Sequence, residues 1–92
     1  MTRKNSPILR YVRKDVNEKN IKAFGKRLAV VRKSKNVTQE DLSYQSGLTL
    51  SQIARIETGV INTTLNTILI LAHALEVEPK ELFDFTLPKK KK

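Results

Sequence analysis

A chain of 92 residues with a formal net charge of +9 has room for one domain with a modest core, a size at which a helical bundle is the simplest fold. It contains no cysteine, which excludes disulfides and thiolate metal sites, and its longest apolar run, residues 68–72, is too short to span a bilayer. The first residues lack the continuous apolar stretch of a signal peptide, so we expect a soluble, cytoplasmic protein without membrane contact.

The positive charge lies at the two ends of the chain. Residues 1–35 contain twelve Lys and Arg residues against two acidic ones, and residues 89–92 are all lysine. Residues 36–88, in contrast, contain two basic residues against seven acidic ones. Such a balance suggests a polyanionic partner that is neutralised mainly by the N-terminal third of the chain, although a basic arm that is merely solvated is the alternative.

Residues 1–18 are predicted to form a basic N-terminal arm. Pro7 suits the first position of a helix, and apolar residues follow at helical spacing. These residues are Ile8, Leu9, Val12 and Val16. The arm is therefore either a short amphipathic helix or a flexible extension, and we favour the ordered form. It is also the segment to which we assign the binding of a protein partner, if the protein has one.

An amphipathic helix is predicted from about residue 20. Its apolar face consists of Ile21, Phe24, Leu28 and Val31. Lysines occupy the opposite face, and the basic residues near its end suit the negative end of the helix dipole. Gly25 weakens this helix slightly, and we expect it to end at Lys35 and Asn36.

The next segment has the pattern of two short helices joined by a tight turn. Thr38 is a favourable N-cap, and Gly47 can adopt the left-handed conformation that ends a helix. Thr49 begins the second helix with Gln52 as its capping-box partner, and Gly59 closes it. Two helices joined by so short a turn must cross steeply, which makes the segment a helix-turn-helix candidate.

The spacing of the second helix separates its two faces. At about 100° per residue, Ile53 and Ile56 lie on one side, which we predict to be buried. The outward side is small and polar and carries one arginine. It consists of Ser51, Ala54, Arg55 and Thr58, with Leu50 on its flank. A face of this kind can approach another molecule closely.

A strongly apolar fourth helix is predicted to begin after Thr64 as N-cap. The stripe that we assign to the core consists of Leu65, Ile68, Ala72 and Leu75. Leu69 and Ile70 lie outside this stripe, so we expect the N-terminal segment or a second copy of the chain to cover them. His73, the one histidine, has no second ligand type nearby, so we predict no metal site.

The end of the chain is predicted to hold a fifth, short helix. Pro79 opens it, and Phe83 and Phe85 at its end are more apolar than such an ending requires. Residues 87–92 are predicted to be a basic, disordered tail.

The motif T-Q-E-D-L-x(4)-G-L-T-x-S-x-I-x-R-I-E-x-G resembles the helix-turn-helix of the Cro/C1-type, or XRE, family of phage repressors and bacterial regulators. The likeness extends into the flanking helices and covers about residues 21–85. It implies an all-α fold, namely a compact five-helix bundle of the lambda-repressor-like DNA-binding type. The bundle would comprise residues 19–86, with the basic arm as an N-terminal extension.

The resemblance also implies residue roles. The positions that the family turns toward base edges are Leu50, Ser51 and Arg55. The positions that contact phosphates are Gln39, Thr49, Asn62 and Thr63. The family's ion pair between the first and third helices falls on Arg32 and Glu57.

Two further expectations follow from the resemblance. Many members form dimers through the fifth helix, so we expect a dimer interface among Leu69, Ile70, Phe83 and Phe85. Relatives commonly carry basic residues where this chain has Val60 and Ile61, a departure that argues against strong backbone binding by that loop.

We therefore predict a sequence-specific regulator, a repressor, that binds double-stranded DNA as a homodimer without a cofactor. One alternative is an antitoxin-like or restriction-modification controller protein with a protein partner, and another is a protein-interaction module without specific DNA binding. An enzyme is not expected, because the sequence has no cysteine, no phosphate-binding glycine run and no histidine partnered for proton transfer.

Overall fold

Helices form the whole of the regular structure in residues 7–87, the part of the chain that the computed structural model describes, with side chains from residue 16 onward. Four α-helices and a final 3-10 helix follow one another: α1 (Pro7–Ser34), α2 (Gln39–Ser46), α3 (Leu50–Glu57), α4 (Leu65–Leu75) and the 3-10 helix Pro79–Phe83. The predicted all-α fold is confirmed, although the fifth helix is a 3-10 helix.

The first helix is longer than the sequence pattern indicated. It has 28 residues, which corresponds to a length of about 42 Å, and residues 7–18 continue without a break into the helix that was predicted from about residue 20. No proline or glycine lies between Pro7 and Gly25, so nothing in the chain interrupts the helix there. The division into an arm, a domain of residues 19–86 and a tail stays a prediction. Residues 1–6 of the arm and 88–92 of the tail lie outside the described residues.

The predicted caps of α2 and α3 are confirmed. The Thr38 hydroxyl accepts the amide of Asp41 at 2.9 Å, and the Asp41 carboxylate accepts the Thr38 amide at 3.1 Å. Thr49 and Gln52 form the same reciprocal box at the start of α3. Gly47 ends α2 with φ of 78°. These local bonds satisfy the amides that a helix start leaves free, and they fix the turn between the two helices.

The hydrophobic core joins all five helices. Its fully buried side chains are Leu28, Leu42, Ile53, Ile56, Leu71 and Leu82. Ile53 and Ile56 are buried as the spacing predicted, which turns the opposite face of α3 toward solvent.

The core stripe of α4 differs from the predicted one. Leu65 is 69% exposed, whereas Leu71 is fully buried beside Ala72 and Leu75. Counted at about 100° per residue, Leu65 lies roughly 70° from the centre of the buried stripe, at its edge. The assignment of Leu65 to the core was therefore wrong.

Helices α1 and α3 meet at a glycine. A Cβ atom added to Gly25 would overlap the carbonyl oxygen of Ile56 and lie 2.6 Å from that of Glu57. The bare backbone of Gly25 thus lets α1 pass directly over the last turn of α3. The contact requires glycine at this position, even though glycine slightly lowers the helix propensity of α1.

Gly25→Ala is expected to destabilise the protein by about 2 kcal/mol. The added methyl group must displace the end of α3, and overpacking of this kind outweighs the gain of up to about 1 kcal/mol that alanine brings to an unconstrained helix. Urea unfolding followed by circular dichroism measures the change. Asn17→Ala, at an exposed position of the same helix, is the control and should cause no loss. A more stable Gly25→Ala protein would show that α1 and α3 are not in close contact.

Candidate nucleic-acid interface

The outward face of α3 carries the three residues predicted to contact bases. Ser51 and Arg55 are exposed, and Leu50 is 42% exposed in the first turn. Because Ile53 and Ile56 anchor the opposite face in the core, these three side chains cannot turn inward without unpacking the helix. The structure therefore brings all three to solvent on one short helix, and their roles as base contacts stay predictions.

The guanidinium of Arg55 is available to a ligand. Within residues 16–87, no side chain or carbonyl group forms a hydrogen bond or ion pair with it, although its own backbone carbonyl accepts the amide of Val60 at 2.9 Å. An arginine presents several N–H donors in a planar fork, which matches the O6 and N7 atoms of a guanine in the major groove.

A buried ion pair holds α3 against α1. Arg32 Nε lies 2.6 Å from Glu57 Oε2, and Arg32 Nη2 lies 3.0 Å from Glu57 Oε1, so the two groups meet in a bidentate arrangement. Both side chains are less than one-tenth exposed. The hydrogen bond that Arg32 donates to Glu57 raises the pKa of Arg32 above its usual value, against the opposing effect of burial. The structure thus places together the two residues that were predicted to pair.

Two further groups complete this buried cluster. Arg32 Nη1 donates to the carbonyl oxygen of Val37 at 2.8 Å, and Gln39 Nε2 donates to Glu57 Oε1 at 2.9 Å. Gln39 is the first residue of α2. The cluster therefore ties the end of α1, the start of α2 and the end of α3 to one another. The sequence spacing gave no signal for the part played by the Gln39 side chain, because its partner lies 18 residues away.

The side chains of Gln39 and Thr49, which were predicted to contact phosphates, are already engaged within the protein. Gln39 binds Glu57, and the Thr49 hydroxyl accepts the amide of Gln52 at 3.0 Å. What these positions offer a phosphate is the end of a helix, where backbone amides point outward and the helix dipole favours an anion.

The loop between α3 and α4 forms the other edge of the exposed α3 face. Asn62 is exposed and Thr63 is partly buried there, and their predicted phosphate contacts are not tested by the geometry. Val60 is 68% exposed, and residues 58–64 contain no lysine or arginine. This edge of the site therefore has hydrogen-bonding groups but no cation of its own.

Exposed apolar side chains include part of the predicted dimer interface. Leu69 and Phe83 are exposed by 43% and 46%, whereas Ile70 and Phe85 are partly buried. Leu65 and Leu87, which were not predicted to lie there, are more exposed still, at 69% and 62%. An open cavity of about 250 Å³ lies near these residues. It is lined mainly by apolar side chains, including Phe24, Ile61, Ile68, Phe83, Phe85 and Leu87.

The described residues contain neither a candidate metal site nor a candidate membrane span. Between residues 16 and 87, no three His, Cys, Asp or Glu side chains lie close enough together to hold a metal ion, and His73 is exposed. None of the helices described is both long and apolar enough to cross a membrane.

Comparisons with known proteins point to one family. Residues 28–82 match the family model HTH_3, which is described as helix-turn-helix. The control protein C.BamHI of Bacillus amyloliquefaciens is 41% identical over 64 residues, which cover 68% of this chain and 79% of that protein.

Two solved structures are similar to this chain over most of their own length. The restriction-modification controller protein C.AhdI from Aeromonas hydrophila is 44% identical with a TM-score of 0.68, over 70% of this chain and 97% of that one. The restriction-modification controller protein C.Esp1396I is 30% identical with a TM-score of 0.65, over 70% and 83% of the two chains.

Glu57→Gln is expected to lower the free energy of unfolding by about 3 kcal/mol. The substitution keeps the shape of the side chain but leaves the buried guanidinium of Arg32 without a counter-charge. Glu81→Gln is the control, because the Glu81 side chain is half exposed and its Oε1 lies 3.6 Å from Arg27 Nη2. Loss of this exposed ion pair should cost no more than about 1 kcal/mol. Guanidinium chloride titrations of the two variants provide the comparison. Equal, small losses would mean that the Arg32–Glu57 pair is not buried.

Proposed function

Because this chain belongs to the HTH_3 helix-turn-helix family, the Cro/C1-type or XRE family, we propose that it is the controller protein of a restriction-modification system. Family membership makes it a DNA-binding transcriptional regulator. The narrower assignment is supported by the controller proteins among its relatives, which are similar to it over most of their length. The genes that it controls would then encode a restriction enzyme and its companion methyltransferase.

The observation that carries the DNA-binding part of this proposal is the exposed face of α3, whose arginine has no side-chain partner among residues 16–87. In the proposed complex α3 lies in the major groove of DNA, which is wide enough for one helix. Arg55 binds the O6 and N7 atoms of a guanine, Ser51 forms a hydrogen bond with a base edge, and Leu50 covers a thymine methyl group.

Phosphate contacts on both sides of the groove would orient the helix. The amide-rich starts of α2 at Gln39 and of α3 at Thr49 bind the backbone on one side, and Asn62 and Thr63 bind it on the other. The buried Arg32–Glu57 pair supports this arrangement, since it fixes α2 and α3 relative to α1.

We further propose that the protein acts as a homodimer. Leu65, Leu69 and Phe83 are exposed apolar side chains of the kind that marks a protein contact, and a second copy can fill the cavity that Phe83 lines. A symmetric dimer would bind a pseudo-palindromic site with half-sites about 34 Å apart. When the dimer occupies promoter DNA it excludes other proteins from it, which makes repression its direct effect.

Arg55→Ala is expected to weaken binding to the preferred DNA site by roughly 1–3 kcal/mol and to relax the choice of base at one position. The preferred site is obtained by selection from random duplexes, first with the native protein and then with the variant. We expect the native protein to select a pseudo-palindrome that also occurs upstream of restriction and modification genes beside its own gene.

Two results of this selection would count against the proposal. An equal loss of affinity on every sequence would mean that Arg55 binds phosphate and does not read a base. If the native protein selects no sequence at all, the chain is a protein-interaction module without specific DNA binding. Lys80→Ala is the matched control, because it removes one exposed positive charge from the final 3-10 helix and should leave the selected site unchanged.

Leu69→Glu is expected to convert the dimer into a monomer at micromolar concentration, because it places a charge in the exposed apolar surface of α4. Light scattering measures the mass. In a binding titration, the variant should no longer bind the full site more tightly than a single half-site. Val30→Glu, at a 55% exposed position of α1, is the control and should stay dimeric. A native protein that is already a monomer at this concentration would rule out the interface.

A further inference from the structure

The loop after α3 lacks the positive charge that DNA phosphates attract. Residues 58–64 contain no lysine or arginine, and Val60 exposes two-thirds of its surface at this point. Asn62 and Thr63 can donate hydrogen bonds, but neutral donors release no counterions from DNA. A duplex held by α3 would therefore meet no cation from the loop itself along this edge.

A lysine from another helix lies against this loop. Gly59, at the beginning of the loop, has φ of 75°, and a Cβ atom added to it would lie 2.5 Å from Lys22 Cγ and 2.9 Å from Lys22 Cα. The aliphatic part of Lys22 thus rests directly on the backbone of Gly59. Lys22 is an exposed residue, and within residues 16–87 its ammonium group has no hydrogen bond or ion pair.

The neighbours of Lys22 on α1 border the same loop. Asn20 and Ile21 line a common cavity with Ile61, Asn62 and Thr63. One turn of α1 therefore runs beside the residues that we assign to phosphate contacts. The packing of the lysine stem on Gly59 restricts where the ammonium group can go, so less conformational entropy is lost when it binds.

We propose that Lys22 of α1 binds the DNA backbone beside the α3–α4 loop and supplies the positive charge that the loop lacks. This inference rests on the proposed DNA binding through α3 and adds a residue and an element to it. The partner is a phosphate of the duplex. Lysine binds it as a point charge without regard to base sequence, so Lys22 contributes affinity and salt dependence but no base preference.

Two observations favour DNA as the partner of this surface. Beyond Lys22, the sequence of the first half of α1 contains Arg10, Arg13, Lys14 and Lys19 against two acidic residues, so this segment has a net positive charge. A second protein chain would have to present acidic groups at the same edge as the exposed face of α3. A duplex bound by the predicted base-reading surface of α3 would already lie beside Lys22, so DNA is the polyanion that this lysine is placed to meet.

Lys22→Gln tests the proposal through the salt dependence of DNA binding. The logarithm of the binding constant falls with the logarithm of salt concentration, and each phosphate contact adds about 0.9 to the magnitude of that slope. We expect Lys22→Gln to reduce the magnitude of the slope by about 0.9 per subunit, which is about 1.8 for the homodimer on its full site, and to weaken binding to the selected site and to random duplexes by the same factor. Lys80→Gln, which removes one charge elsewhere, should keep the native slope.

A compensating substitution makes the test specific to the loop. Val60→Lys in the Lys22→Gln background returns a cation to the same edge and should restore the native slope, since Val60 is exposed and adjacent to Gly59. Circular dichroism checks that each variant keeps the native helix content.

The possible failures can be told apart. An unchanged slope in Lys22→Gln would mean that Lys22 is only a solvated side chain. Equal reductions of the slope in Lys22→Gln and Lys80→Gln would mean that net charge alone matters. If Val60→Lys does not restore the slope, Lys22 does not supply the positive charge that the loop lacks. A loss of the dimer in Lys22→Gln, measured by light scattering, would assign the lysine to a second copy of the chain. If the native protein has no preferred site, the proposed function fails, whatever the slopes of the variants.

Discussion

The buried cluster of Arg32, Glu57 and Gln39 is the constraint on which the DNA-binding geometry depends. Its value lies in orientation more than in stability, because burying two charges costs nearly as much as their attraction returns. The bidentate pair fixes the last turn of α3 on α1, and the Gln39 amide attaches the first turn of α2 to the same carboxylate. The proposed base contacts of α3 and the proposed phosphate contact at the start of α2 require a constant distance between the two helices. This cluster is where the chain sets that distance.

The close contact between α1 and α3 has a second consequence at the surface. Gly25 lets α1 pass over the carbonyl groups at the end of α3, and Gly59 lets it continue along the start of the following loop. Larger side chains at either position would push the two helices apart. The same contact rests the stem of Lys22 on the loop, so the packing that stabilises the domain also determines where its positive charge stands relative to the exposed face of α3.

Features that arise from neighbouring residues in the chain could be predicted from the sequence, whereas those that arise from packing could not. The caps at Thr38 and Thr49 and the buried spacing of Ile53 and Ile56 are local, and each was predicted correctly. The exposure of Leu65 depends on which side of α4 the other helices cover, and periodicity alone does not decide that for a helix that is apolar on every side. The bond from Gln39 to Glu57 likewise exists only after three helices have met.

The distribution of charge separates affinity from selectivity. Residues 36–88, which include the helix-turn-helix, carry more acidic than basic groups, and Arg55 is the single cation of α3. In the proposed complex such a helix gains little from non-specific attraction, so a wrong base sequence removes a large part of what α3 contributes to binding. In the proposed complex, the non-specific attraction to DNA comes mainly from the N-terminal third of the chain, where twelve Lys and Arg residues lie in the first 35 positions and nine of these lie in α1. With base reading assigned to α3 and phosphate attraction to α1, as proposed above, base choice can change in α3 while the electrostatic contribution of α1 remains the same.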